Sequence, residues 1–156
     1  MAVTGKPRTF YKKYKFVVEI DGVQVAAFTK AGPLEPEIAV AEQYEGGSLI
    51  PVKEPARVKV ANLVLERGAT DDLDLWTWFE QVANLAANSG LIDAKYKRNL
   101  DVVAQARDGS TLRRWRCYNA FPIKFHAGDW DNDSDENVME TVELAYDFPL
   151  PIKTAQ

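Results

Sequence analysis

The chain has 156 residues, of which 46% are hydrophobic and 27% charged, with a net charge of −4 at pH 7. That length can bury a sizeable core without disulfide or metal staples, and the acidic balance argues against a general nucleic-acid binder, which normally carries a basic excess. The single cysteine, Cys117, excludes an intrachain disulfide and suits a reducing compartment.

Met1 to Lys15 has no apolar stretch of the kind a secretory leader needs. No window approaches the roughly 18 apolar residues of a membrane span, so the expectation is a soluble chain that does not insert in a membrane. From Lys13 to Lys30 the pattern alternates, with Tyr14, Phe16, Val18 and Ile20 on one side and Lys13, Lys15 and Glu19 on the other. Asp21-Gly22 interrupts it before Val23 to Phe28. Asp-Gly between alternating runs predicts a hairpin, because a two-residue turn of this type needs positive φ. A third extended run, Glu37 to Tyr44, follows the break at Pro33-Leu34-Glu35-Pro36.

Glu45 to Pro55 contains two glycines and two prolines and reads as a loop, yet Leu49, Ile50 and Val52 are apolar. Apolar side chains on a long loop pack on something, either their own domain or a neighbouring subunit. Arg57 to Arg67 reads as one strand. A helix follows at once, with Thr70 or Asp71 as N-cap and Asp71, Asp72 and Asp74 complementing the positive end of its dipole. Leu75, Trp78, Phe79, Val82, Leu85 and Ala86 fall on one stripe. Asn88-Ser89-Gly90 provides the stop, which makes the helix roughly 25 Å long.

Lys97 to Arg107 alternates again, with Leu100, Val102, Ala104 and Ala106 opposite Asn99, Asp101, Gln105 and Arg107. Asp108-Gly109 gives a second hairpin signal, and Ser110 to Phe125 is the returning strand, basic on the face of Arg114 and Arg116. An acidic loop, Asp129 to Asn137, precedes a last strand in which Val142, Leu144, Tyr146 and Phe148 share a face and Pro149 and Pro151 mark the end. About seven strands and one long helix favour a mainly β fold: an antiparallel barrel or two packed sheets, flanked by an α-helix.

Few residues can carry chemistry. His126 is the only histidine, and Cys117 alternates with Arg116 and Tyr118 inside a strand. No Gly-x-Ser-x-Gly elbow accompanies them, and a zinc site needs more Cys and His ligands than these two. The reading is therefore no enzyme and no cofactor; a hydrolytic alternative would rest on His126 and the acidic loop. Asp129, Asp131, Asp133, Asp135, Asn137 and Glu140 do occupy the ligand spacing of an EF-hand loop. However, Ser134 stands where the sharp turn wants glycine, and the flanks are strands. A solvated acidic loop is the favoured reading, with a weak cation site on Asp129, Asp131, Asp133, Asp135 and Glu140 as the alternative. Basic-aromatic clusters at Tyr11-Lys12-Lys13-Tyr14, Lys95-Tyr96-Lys97-Arg98 and Arg113-Arg114-Trp115-Arg116 could contact phosphates. With a net acidic chain they read as solvated strand faces or inter-subunit salt bridges.

Several elements together resemble the tail tube proteins of contractile bacteriophages and of phage-tail-like injection systems. In order they are Phe16-Val17-Val18-Glu19-Ile20-Asp21-Gly22, then Phe28…Gly32-Pro33-Leu34-Glu35, then Glu42-Gln43-Tyr44-Glu45-Gly46-Gly47. Leu65-Glu66-Arg67-Gly68…Asp72…Leu75-Trp76…Trp78 and Trp115…Tyr118-Asn119-Ala120-Phe121-Pro122-Ile123-Lys124 complete the set, over about residues 10 to 148. The type VI secretion tube protein shares the implied fold.

The resemblance implies a single tube domain over 1–156 that forms homohexameric rings stacked into a hollow tube inside a contractile sheath, conducting DNA or effector cargo. It implies sheath, baseplate or tube-initiator, tape-measure and terminator proteins as partners. It also implies assembly in the bacterial host cytoplasm into a virion tail or injection particle, and no sequence-specific nucleic-acid contact. The segments 1–13 and 45–55 become inter-subunit arms. Inter-ring contacts then fall on Glu45, Gly46, Gly47, Leu49, Ile50, Val52 and Lys53, with Phe10 and Tyr11 in the first arm. Arg67, Asp72 and Trp76 become packing residues of the helix or a neighbour, with Trp76 the one off the main stripe. Asn99, Asp101, Glu140 and Glu143 are candidates for a polar lumen. Ring closure would also pair sheet edges that otherwise invite aggregation. The competing reading is a monomeric β-barrel binding a small apolar ligand, which leaves the apolar loop unexplained.

Overall fold

In the computed structural model, the described residues are 5, 10–21, 23–26, 28–85 and 95–153, with backbone alone for 23–26. Alternating apolar residues make the first hairpin, β1 (Phe16–Ile20) and β2 (Val23–Ala26), in which Ile20 pairs with Val23 across the expected two-residue turn. Gly22 of that turn lies outside the described residues. β3 (Lys30–Gly32) is short, and β4 (Pro36–Gln43) and β5 (Val52–Val60) form a separate two-stranded sheet. β6 (Leu63–Gly68) leads into the helix α1 (Asp74–Ala83), and β7 (Arg98–Gln105) turns into the long β8 (Thr111–His126). β9 (Met139–Ala145) and β10 (Pro149–Ile152) complete the chain.

The main sheet runs β2-β1-β7-β8-β9-β6-β3, with β10 also paired to β8. It behaves as two sheets that share β8. The first part of β8 pairs with β7 and β10, while Phe121 to His126 pairs with β9. Two irregularities make the handover. Asn119 has φ of 54°, and the register slips again between Pro122 and Lys124. Each inserts a residue and resets the alternation, so Cys117, Ala120 and Pro122 are all buried. The two sheets are packed and antiparallel, as expected for the fold class, but they meet along β8 without closing into a barrel.

The core lies between them. Val18, Ile20, Leu100 and Cys117 come from one sheet, Leu63, Leu65, Val142 and Leu144 from the other, and Leu75 and Trp78 from α1. Trp78 is fully buried and its indole N–H donates to the Tyr96 carbonyl at 2.6 Å, so the large ring is packed without stranding its polar atom. Arg98 stacks over the same ring at 5.3 Å and donates to Gln81 Oε1 at 3.0 Å, tying β7 to the helix.

Four expectations about elements are corrected. Arg57 to Arg67 is two strands, because the apolar phase passes from even positions (Val58, Val60) to odd ones (Leu63, Leu65) at Ala61-Asn62. There Ala61 N–H donates to the Glu35 carbonyl and the Asn62 amide to Glu143 Oε1. The helix starts later than Thr70 or Asp71: Leu73 occupies the N-cap and the Asp72 carboxylate accepts from Asp74 N–H at 2.9 Å. It ends at Asn84 in the left-handed conformation, a residue that tolerates positive φ. Its ten residues make it about 15 Å long; Ala86 and Asn88-Ser89-Gly90 lie outside the described residues. Finally, Pro149 and Pro151 do not stop a strand but lie in β10, beside β8. The Phe148 carbonyl accepts from Tyr118 N–H, so by alternation both prolines turn their missing donor to the free edge, where a strand tolerates it.

Candidate assembly interface

The residues that could have carried chemistry are occupied structurally. Cys117 is fully buried among apolar neighbours, and burial pushes its thiol up to about 12, far from a reactive thiolate. His126 pairs with Thr141 at the end of β8, on the open face of the second sheet with Val64, Lys124 and Glu143. Of the proposed cation ligands, Glu140 leaves the set, because it is buried against Arg67 on the core side. Among the described residues no three acidic, histidine or cysteine groups gather in a metal-holding arrangement. The rest of the acidic loop is an exposed turn in which Asp131 accepts from Asp133 N–H. Its foot is fixed at Gly128, with φ of 115° and Val138 Cγ1 only 2.4 Å from where a Cβ would sit.

Arg67 is the centre of the strand-to-helix pivot. It is 4% exposed, and its Nε donates to Glu140 Oε1. Its Nη2 reaches the Asp72 carbonyl at 3.2 Å, and the guanidinium lies 5.8 Å over the Phe28 ring. One side chain thus joins β6, β9 and the start of α1. Asp72 completes the clasp, at 3.6 Å from Arg67 Nη1. Trp76 lies off the buried stripe, as expected, tilted against Phe79 at 5.6 Å and edge-on to Phe125 at 5.5 Å, and is about one third exposed.

The two sheet faces turned away from the core mix charged groups with apolar ones such as Val103, Leu150 and Val64. On the first, Asp101 accepts from Arg114 at 2.7 Å and from Arg116 at 2.8 and 3.1 Å, while Glu19 takes Arg114 at 2.6 Å. The expected basic face of β8 is therefore largely neutralised by its own sheet. Burial raises the Asp101 carboxyl, but the hydrogen bonds and charges of Arg116 and Arg114 outweigh it and hold the group below its usual value of 3.8. Of the lumen candidates, Asp101 lies under its arginines and Asn99 accepts from Asn119 N–H at 3.2 Å. Glu143 faces out from the second sheet beside Lys124. Glu140 faces the core instead and is removed from that set.

The most exposed apolar surface is the β4–β5 hairpin, whose only strand pairing among the described residues is between its own two arms. Its register places Pro36, Ile38, Val40 and Glu42 on one face with Val60, Val58, Pro55 and Lys53, across a bulge near Ile38 and Val40. On that face Ile38 is 57% exposed, Val40 58% and Val58 61%. The opposite face carries Glu37, Lys59 and Glu54. The tip, with Glu45, Gly46, Gly47, Leu49 and Ile50, is exposed, and Leu49 is 97% so. Val52 and Lys53, expected in the loop, open β5. The apolar loop is thus the end of a longer hairpin, whose first arm matches the extended run read over Glu37 to Tyr44 and whose second arm sequence analysis missed. The phase change after Val60 was the available signal. In the N-terminal segment Phe10 is exposed, and Tyr11 lies under Arg113 at 4.9 Å.

Comparison with known proteins adds to this geometry. The structure of the anti-feeding prophage tube-terminating cap contains a chain of similar fold, with a TM-score of 0.82 and 21% identity over 99% of this chain and all of that one. The sheath–tube complex of an extracellular contractile injection system contains a chain with a TM-score of 0.76 and 20% identity, covering 92% of each. Hcp1 from Salmonella typhimurium is more distant, with a TM-score of 0.52 and 14% identity over 86% of this chain and 83% of that one. No curated protein sequence matches significantly. The pattern of the family described as T4-like virus tail tube protein gp19 matches residues 12–148, nearly the whole chain. The chain therefore belongs to that family: it is a structural tube protein and not an enzyme.

Proposed function

We propose that this chain is the inner tube subunit of a contractile particle, forming hexameric rings that stack into a hollow tube and conduct DNA or effector cargo. The observation that carries the reading is the β4–β5 hairpin. It stands off the main sheet with Ile38, Val40 and Val58 each more than half exposed. An amphipathic hairpin of this kind is marginal alone, and its apolar face gains by docking on another copy. At about 25 cal/mol per Å², covering such a strip in every subunit supplies a driving force for polymerisation. The arm so defined spans 36–60, larger than the 45–55 read from the sequence, and Met1 to Lys13 forms a second contact as one part of a single tube domain.

Related assemblies support the partner set. The similar structures are described as a baseplate, a tube-terminating cap, a sheath–tube complex and a sheath/tube terminator. A sheath, baseplate or tube-initiator, tape-measure and terminator protein would then meet this tube in the host cytoplasm. Asn99, Asp101 and Glu143 are retained as lumen candidates because they lie on the sheet faces turned away from the core. The ligand-binding barrel loses support from a sheet that is joined along β8 but, among the described residues, stays unpaired between its end strands β2 and β3.

The test is assembly of the purified chain at high concentration, followed by light scattering and negative-stain microscopy. Six-fold rings or tubes are expected. A monodisperse monomer at every concentration and salt condition overturns the reading.

A further inference from the structure

The two ends of β8 carry complementary chemistry. At its start, the N-terminal segment and the β7–β8 turn enclose a groove of about 380 Å³. Phe10, Tyr14, Ala106 and Leu112 supply apolar and aromatic walls, and Lys12, Lys15 and Arg107 supply charge. Among the described residues none of the groups lining it is acidic. Asp108, in the adjoining turn, accepts from the Ser110 N–H at 2.9 Å and its hydroxyl at 2.6 Å.

Beyond the other end of β8 lies the loop of Asp129, Trp130, Asp131 and Asp133, in which the indole of Trp130 is 76% exposed. A tryptophan so exposed, between two aspartates, is unusual for a residue that interfaces favour as an anchor. Gly128 and the Ala69 N–H bond to the Val138 carbonyl fix the foot of this loop against the strand-to-helix pivot. The indole is therefore presented from a defined base.

We propose that Trp130 of one subunit docks in the Phe10–Tyr14–Leu112 groove of a second copy, with Asp129, Asp131 and Asp133 facing Lys12, Lys15 and Arg107. The groove lies at the start of the sixteen-residue β8 and the loop beyond its end, and none of Asp129 to Asp133 lines the groove of its own chain. The match is between two different surfaces of the same molecule. Such a heterologous contact leaves a free loop at one end and a free groove at the other, and it propagates from copy to copy. Aromatic packing supplies the anchor, while the charges set orientation and speed encounter. The inference rests on the tube reading and names one contact within that assembly.

The test is a pair of charge-reversed chains. One carries Asp129→Lys, Asp131→Lys and Asp133→Lys; the other carries Lys12→Glu, Lys15→Glu and Arg107→Glu. Each variant alone should remain folded by circular dichroism but lose assembly, because loop and groove then carry like charge. An equimolar mixture should recover it, since each loop meets an opposite groove. Trp130→Ala should raise the concentration needed for assembly at least tenfold, and added salt should weaken wild-type assembly.

Tubes from either reversed chain at wild-type concentration overturn the docking and leave the tube reading intact. Loss of assembly in both chains without recovery on mixing also overturns it. Wild-type protein that never assembles removes both.

Discussion

The packed sheets and the β4–β5 hairpin use the same residue types to opposite ends. In the sheets, apolar alternation is consumed within the chain: Leu63, Leu65, Val142 and Leu144 are fully buried. In the hairpin, Ile38, Val40 and Val58 alternate just as regularly and remain exposed. Periodicity reports that a face is apolar, and not whether its cover comes from the same molecule. The first region determines whether one chain folds. The second becomes informative only when copies meet.

This contrast breaks most visibly in the core. Trp78→Ala should cost about 3–5 kcal/mol, read as a lower denaturation midpoint. A loss under about 1 kcal/mol would mean that the helix does not seal the sheets. Arg67→Met should cost about 3 kcal/mol, because it leaves Glu140 buried without its partner. Adding Glu140→Gln should recover part of that loss in the same denaturation experiment.

A pH test follows from Asp101. Its folded-state pKa is lowered, so its stabilisation is complete above the unfolded value of about 3.9 and is lost as pH falls through the folded one. The difference in Tm between wild type and Asp101→Asn should be constant near neutrality and shrink below about pH 4. A gap unchanged down to pH 2 would remove the carboxylate from the account of the outer face. The smallest effect on stability belongs to the hairpin. Ile38→Ser with Val58→Ser should change folding stability by no more than about 0.5 kcal/mol while abolishing sedimentable assemblies. Large destabilisation, or undiminished assembly, would erase the distinction between the two regions.

Much of the fold was legible where pattern and turn chemistry agreed. The Asp21-Gly22 and Asp108-Gly109 hairpins formed as read, and the stripe of Leu75 and Trp78 became the buried face of α1. The helix end was misplaced because Asn84 could take a left-handed conformation without glycine. Glu140 was misread as solvent-facing because alternation treats a charge on the inner face as outward. Its burial depends on Arg67, 73 residues away in sequence. Pro149 and Pro151 read as terminators because a sequence does not show that, among the described residues, their strand pairs with β8 alone. Of the candidate interface, the apolar tip and the arm over Glu37 to Tyr44 were visible, but the second arm was hidden, split between the loop ending at Pro55 and an apparently continuous strand from Arg57 to Arg67. Trp130 was passed over because its aspartate neighbours drew the reading toward cations.

β8 has a mechanical consequence. Sheets that merely pack can slide when sheared, because side-chain contacts break and re-form at little cost. Here one backbone crosses from the first sheet to the second through Asn119 and Pro122. Tension applied to either sheet therefore passes to the other along covalent bonds, and separating them requires stripping hydrogen-bonded ladders from β8 itself. The subunit should respond to axial load as a single stiff unit, yielding first at its docked surfaces and only later inside its fold.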